Sequence, residues 1–100
     1  MEMKDRIDAI RELTRYSEAL MQLAEEATEL AQAALKYSRA LGAGTPTDVS
    51  PTDAREQMIE ETADVMLTAA VCGVRDTDTE PVMAAKVERW MRRLEAAQRR

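Results

Sequence analysis

One stretch of the sequence organises the chain: Ala24-Glu25-Glu26-Ala27-Thr28-Glu29-Leu30. Alanine, glutamate and leucine are strong helix formers, so the stretch predicts an α-helix. Residues three or four apart lie on the same face of a helix, and Glu26 and Glu29 therefore form a pair of carboxylates. Apolar residues recur at spacings of three and four, which predicts that this helix packs against another one through a seam with Glu26 at its edge. The seam residues are Leu20, Leu23, Ala27, Leu30, Ala34, Tyr37 and Leu41.

A second stretch repeats the acidic arrangement, with aspartate in the last acidic position: Glu60-Glu61-Thr62-Ala63-Asp64-Val65. Glu61 and Asp64 form the corresponding pair. If the two helices pack side by side, carboxylates from both converge. Such a cluster repels itself unless protons or a cation neutralise it, and oxygen ligands suit hard divalent ions such as Mg²⁺ or Mn²⁺. The two stretches together predict a metal-dependent helical protein.

The composition predicts a single all-α domain over residues 1–100. Apolar residues make up 45% of the chain and charged residues 33%, which is too apolar for a disordered chain. The sequence has three glycines, three prolines and no phenylalanine, and it is rich in helix formers. One hundred residues suffice for one domain with a modest core, which dimerisation would extend.

Charge and patterning exclude several function classes. A net charge of −5 argues against a polymeric nucleic-acid partner. No apolar run is long enough to cross a membrane, and residues 1–6 lack the apolar segment of a secretion signal. Cys72 is the single cysteine and lies in an apolar run, which predicts a buried reduced thiol. These features predict a cytoplasmic protein.

Helical periodicity and turn residues divide the chain into four main segments. We expect a first helix over about 5–16, continuing without a clear break into a second over 17–41, and a loop over 42–50. Ser50 followed by Pro51 predicts the start of a third helix, and Gly73 either ends this helix or permits close packing. A last helix is expected to begin between Asp78 and Pro81 and to fray over 98–100.

Two apolar surfaces predict an oligomer. The third helix is apolar nearly all round from Val65 to Val74, so it needs covering on several sides. The last helix carries a stripe that should also be buried: Met83, Val87, Trp90, Met91 and Leu94. We therefore expect a homodimer or homotetramer.

The acidic motifs resemble those of a known family. Glu-Glu-x-x-Glu in one helix, followed by Glu-x-x-Asp in a later helix, is similar to the MazG-like, all-α nucleoside triphosphate pyrophosphohydrolases. The stretches Gln22–Leu30 and Glu61–Val65 carry the resemblance. It extends over about Ser17 to Leu94, whereas residues 1–16 lie outside the matched region. The resemblance implies a bundle of four to five helices, of the all-α NTP pyrophosphatase type.

The resemblance also implies an activity and a set of site residues. The activity is Mg²⁺-dependent hydrolysis of nucleoside triphosphates to monophosphate and pyrophosphate, which clears the nucleotide pool of unwanted members; Mn²⁺ is the alternative ion. Carried onto this sequence, the metal ligands are Glu26, Glu29, Glu61 and Asp64. Glu25 would position or deprotonate water. The substrate-binding residues would be Lys86, Arg89 and Arg93 at the phosphates and Gln22 at the base or sugar.

Two other functions fit parts of the pattern. A dUTPase-like diphosphohydrolase shares the metal chemistry and the release of pyrophosphate but restricts the base to uracil. A helical interaction module without enzyme activity would use its acidic surface to bind a basic partner. The module explains the acidity and the helices but not two motifs of matching spacing.

Overall fold

The computed structural model describes all of residues 1–100 and contains four α-helices and no strand. The helices are α1 (Met3–Leu13), α2 (Tyr16–Ala40), α3 (Pro51–Val71) and α4 (Asp76–Gln98). The all-α prediction is confirmed. The first helix ends three residues before the predicted Tyr16, because the backbone is extended at Thr14 and Arg15. No helix combines the length and the apolar character that a membrane crossing requires.

Local hydrogen bonds set the ends of α3 and the start of α4. The hydroxyl of Ser50 accepts a hydrogen bond from the backbone N–H of Asp53 at 3.1 Å, which confirms the predicted cap. At the other end Gly73 has φ +85°, and the N–H groups of Gly73 and Val74 close the helix on Ala70 and Ala69. Helix α4 begins at Asp76, earlier than predicted, because the Asp78 carboxylate accepts from the backbone N–H of Arg75 at 3.0 Å.

Helices α2 and α3 form an antiparallel hairpin that supplies most of the packing between helices. Ala19, near the start of α2, packs against Val71 and Cys72 at the end of α3. Ile7 from α1 and Leu23 from α2 cover this small cluster. The predicted burial of the Cys72 thiol is confirmed. The hairpin is therefore the frame on which the two acidic motifs are held.

Helix α4 has almost no packing against the other three helices. Its predicted apolar stripe is exposed, so the expectation that the stripe is buried is wrong for the single chain. Trp90 is 68% exposed, and the other members are all more than half exposed: Met83, Val87, Met91 and Leu94. The physical reason is that α4 extends away from the other three helices, so no element of the same chain covers the stripe.

Replacing Gly73 by alanine is expected to lower the free energy of unfolding by about 1–2 kcal/mol, since an L-residue at positive φ is strained. A Cβ atom there would also lie 2.9 Å from a guanidinium nitrogen of Arg11. Denaturant unfolding measures the loss. Gly73→Asn is the control, because asparagine tolerates the left-handed region and should lose less despite its larger side chain. Equal stability of Gly73→Ala and the unmodified chain would contradict this prediction.

Candidate functional site

The two facing helices use the same pattern of inward residues. Buried or half-buried positions recur at alternating spacings of four and three along each helix, the spacing of an antiparallel seam. In α2 they are Ala19, Leu23, Glu26, Leu30, Ala33 and Tyr37. In α3 the matching row is Ala54, Met58, Glu61, Val65 and Thr68, and it ends at Cys72 just after the helix. Beside this row, further residues of α3 are buried or half-buried: Thr62, Asp64, Ala69, Ala70 and Val71. Each seam therefore contains one glutamate near its centre, at a position that a packed hairpin normally gives to an apolar residue.

This placement corrects the predicted phase of α2. The sequence pattern predicted a seam through Leu20, Ala27 and Ala34, with Glu26 at its edge. The structure instead buries Ala19 and Ala33, and leaves Leu20, Ala27 and Ala34 exposed. Glu26 consequently lies inside the seam and is half-buried.

Three glutamates from the two helices meet at this point. One carboxylate oxygen from each of Glu26, Glu29 and Glu61 lies within 4.8 Å of the others. Glu26 and Glu61 are half-buried, whereas Glu29 is exposed and lies at the open side of the group. We refer to these residues as the glutamate triad. The convergence of the two motifs, on which the sequence prediction depended, is present within one chain.

Asp64, the fourth predicted ligand, does not belong to the glutamate triad. It occupies the position in the second motif that Glu29 occupies in the first, and it is half-buried on α3. Its side chain is one methylene shorter than that of glutamate, which reduces its reach across the helix pair. Its assignment as a metal ligand stays a prediction.

Each seam glutamate has one oxygen satisfied and one without a partner. The side-chain amide of Gln22 donates to Glu26 Oε1 at 2.8 Å, and that of Gln57 donates to Glu61 Oε1 at 2.7 Å. The Oε2 atoms of both glutamates are buried and accept no hydrogen bond. Buried carboxylate oxygens without donors are costly, so these two atoms are the acceptors that a ligand could engage.

Electrostatic repulsion acts on Glu29. The carboxylates of Glu26 and Glu61, in that order, raise the pKa of Glu29 above its ordinary value, with smaller contributions from desolvation and from hydrogen bonding to the same two carboxylates. No lysine or arginine forms an ion pair with the triad, since the ion pair in the chain joins Arg75 to Asp8. The folded hairpin therefore holds a group of carboxylates without a direct cationic partner.

An open cavity of about 480 Å³ adjoins the glutamate triad. Three acidic side chains line it: Glu29, Asp53 and Glu61. Lys36, on α2, and the amide side chains of Gln32 and Gln57 line it as well. The cavity thus brings one cation and two amide groups next to three carboxylates, so its lining is acidic overall.

The remaining predicted site residues lie elsewhere. Glu25 is exposed on α2 and outside the triad, because consecutive helix residues point about 100° apart. Lys86, Arg89 and Arg93 do share one face of α4, where they line a shallow hollow with Trp90. No α4 residue lines the cavity beside the triad. Gln22 contacts Glu26, and its predicted contact with a base or sugar stays a prediction.

Sequence reasoning missed Gln57 as a contact of the triad. The signal was present, because Gln22 and Gln57 each stand four residues before a seam glutamate. A helix face repeats at that spacing, so the match predicts equivalent contacts. For Lys36 the sequence allows contact with phosphate but favours a solvent-facing role, since lysine is common on solvated helices; the structure places it in the lining of the cavity.

The chemistry of the site fits a hard divalent cation. Glu26, Glu29 and Glu61 would hold the ion through oxygen atoms, and the two unpartnered Oε2 atoms are the observation that favours this fit. Mg²⁺ is usually held by a few carboxylates together with oxygens from its substrate and from water. A site with three carboxylates and an adjoining cavity meets that description.

Replacing Glu29 by glutamine is expected to stabilise the metal-free protein at neutral pH. Because its pKa is raised, the folded chain binds a proton at Glu29 more tightly than the unfolded chain does. The contribution of Glu29 to the free energy of unfolding is therefore most favourable below the ordinary pKa of 4.5 and is lost as pH rises through the raised pKa. Denaturant unfolding in EDTA, at about pH 4 and about pH 7, measures the loss.

Glu25→Gln is the matched control, since it removes the same charge from the same helix outside the triad. As the pH rises from about 4 to about 7, the free energy of unfolding of the unmodified chain and of Glu25→Gln should each fall more than that of Glu29→Gln. If Glu29→Gln loses as much stability as the unmodified chain, the triad does not repel itself in the folded protein.

The comparisons with known proteins found no match to this chain. No family model matches the chain, and neither the curated proteins nor the solved structures contain a significant match. Membership of the MazG-like family therefore stays a prediction from the acidic motifs.

Proposed function

We propose that this chain is a Mg²⁺-dependent nucleoside triphosphate pyrophosphohydrolase, which hydrolyses nucleoside triphosphates to monophosphate and pyrophosphate. One observation carries the proposal. Glutamates from two separate helices meet in the packed seam of the hairpin, and two of their oxygens are buried without a donor. A stability-driven seam would hold apolar residues at these positions, so the cost of burying carboxylates there indicates a function.

The negative charge of the glutamates explains why a polyphosphate would bind at this site only together with a cation. The glutamate triad alone would repel a triphosphate. When bound, a hard divalent cation supplies the positive charge that phosphate oxygens require and makes nearby water more acidic. Mn²⁺ has the same preference for oxygen ligands and is the expected substitute.

The side chains around the cavity have separate proposed roles. Lys36 is the basic side chain that lines the cavity within the same chain, and it would attract phosphate oxygens there. Lys86, Arg89 and Arg93 can reach the same phosphates only where α4 of one subunit covers the cavity of another. Glu25 keeps its proposed role of positioning or deprotonating water, since the chain has no histidine to act near neutral pH.

The exposed surface favours an oligomeric assembly of the NTP pyrophosphatase type. The chain exposes 8131 Å², whereas a compact monomer of 11.2 kDa exposes about 5,700 Å². The excess of roughly 2,400 Å² per chain matches what a subunit of an obligate homodimer buries. We propose that a second copy covers the α4 stripe and the outer faces of α2 and α3, as a dimer or as part of a tetramer.

The proposed biological role is removal of unwanted nucleotides from the cytoplasmic pool. The runner-up is a dUTPase-like enzyme, which would use the same carboxylates and differ only in accepting uracil. The non-enzymatic alternative is an acidic module that binds a basic partner through the triad face. A panel of ribo- and deoxyribonucleoside triphosphates, assayed for pyrophosphate with and without Mg²⁺, separates these three functions.

Glu26→Gln, Glu29→Gln and Glu61→Gln should each lower kcat/KM in that assay by at least about a hundredfold, because each removes a carboxylate that would hold the ion. Helix content by circular dichroism should be retained. Glu56→Gln is the control, since Glu56 is exposed on α3 outside both the triad and the cavity. Asp64→Asn decides between a site of three carboxylates and one of four.

Full activity in the glutamine variants of the triad would refute the proposed site. Pyrophosphate release that does not depend on a divalent ion would refute the metal requirement. Release from dUTP alone would identify the uracil-specific enzyme. No release from any triphosphate would favour the interaction module.

Sedimentation at micromolar concentration should show at least a dimer of the 11.2 kDa chain. Trp90→Ala should raise the dissociation constant of the assembly at least about thirtyfold, because a buried tryptophan at an interface typically contributes 2 kcal/mol or more. Arg92→Ala is the control on the same helix, two residues and about 200° away from Trp90. A monomer at all accessible concentrations would contradict the proposed assembly.

A further inference from the structure

The two seam glutamates are held by equivalent glutamines. Gln22 and Glu26 stand four residues apart on α2, and Gln57 and Glu61 stand four residues apart on α3. Side chains on a helix lean toward its N-terminus, so a glutamate meets the residue one turn before it. The observed distances, 2.8 Å and 2.7 Å from amide nitrogen to carboxylate oxygen, are those of good hydrogen bonds.

The equivalence includes the positions of the two glutamates in their seams. Every seam position of the matching row lies 35 residues after its counterpart in α2, from Ala19 and Ala54 to Tyr37 and Cys72. Glu26 and Glu61 are therefore the third members of matching rows, and each has a glutamine donor one turn before it.

The chemistry of the donor suits a metal ligand. An amide engages one carboxylate oxygen without neutralising the charge, whereas lysine or arginine in its place would compete with a cation. With Oε1 engaged, each glutamate has Oε2 as its free acceptor, and these are the two buried atoms without a partner. The third triad member lacks such a donor, since Glu25 stands four residues before Glu29 and its ionised carboxylate only accepts hydrogen bonds.

We propose that Gln22 and Gln57 are positioning residues that fix the rotamers of Glu26 and Glu61, so that both Oε2 atoms face one divalent cation. The inference rests on the proposed metal site and assigns Gln22 a role different from contact with a base. Hydrogen-bonded partners behind a ligand orient it, and losing one typically weakens metal binding by about 10–100-fold.

Titration calorimetry of the full chain with Mg²⁺ and with Mn²⁺, in the absence of nucleotide, tests the proposal. Gln22→Met and Gln57→Met preserve length and remove the donor, and each should raise Kd by about 10–100-fold. The double variant should show roughly the product of the two losses, because the glutamines act on different ligands. Gln98→Met is the control, since Gln98 is an exposed glutamine outside the cavity and donates to no carboxylate.

Unfolding of the metal-free variants separates positioning from structural support. Gln22 and Gln57 are exposed, so the unfolding midpoints in EDTA should match that of the unmodified chain while Kd changes. If the unmodified chain binds the ions and both methionine variants bind equally well, the positioning role is overturned and the metal site survives. If the unmodified chain shows no saturable binding, both the metal site and the positioning role are overturned.

Discussion

Repulsion among three carboxylates in the α2–α3 seam is the constraint on which the site depends. Apolar contacts on both sides of the glutamates hold the two helices together, and this packing keeps Glu26 and Glu61 from moving apart. Glu29 adds a third charge at the exposed rim, where its pKa is raised by the other two. The packed hairpin holds the carboxylates close together, and no ion pair within the chain neutralises their negative charge.

The acidic group is built from matching positions of two helices. Each helix contributes a seam glutamate and a glutamine that donates to it. The match ends at the third position, where Glu29 reaches the group and Asp64 does not. One side of the glutamate pair is therefore more acidic than the other, and the cavity that contains Lys36 opens on that acidic side.

Much of the fold was predictable from sequence. Periodicity, Ser50-Pro51 and Gly73 predicted the helices and their limits to within a few residues, since these signals act locally. The phase of the α2 seam was not predictable, because alanine occurs at both Ala33 and Ala34 and either can face a neighbour. The partner of α4 was not predictable either, since an apolar stripe indicates burial without identifying what covers it. The site was anticipated in Glu26, Glu29 and Glu61, whereas Gln57 depends on a side-chain contact that composition does not reveal.

Only five of the 100 residues are buried, and none of them is larger than valine. In the proposed homodimer, a chain with so little interior would fold as it associates, so the fraction of assembled chains would rise with their concentration. Doubling the concentration of chains would then more than double the amount of assembled protein, because encounter between chains is second order in their concentration.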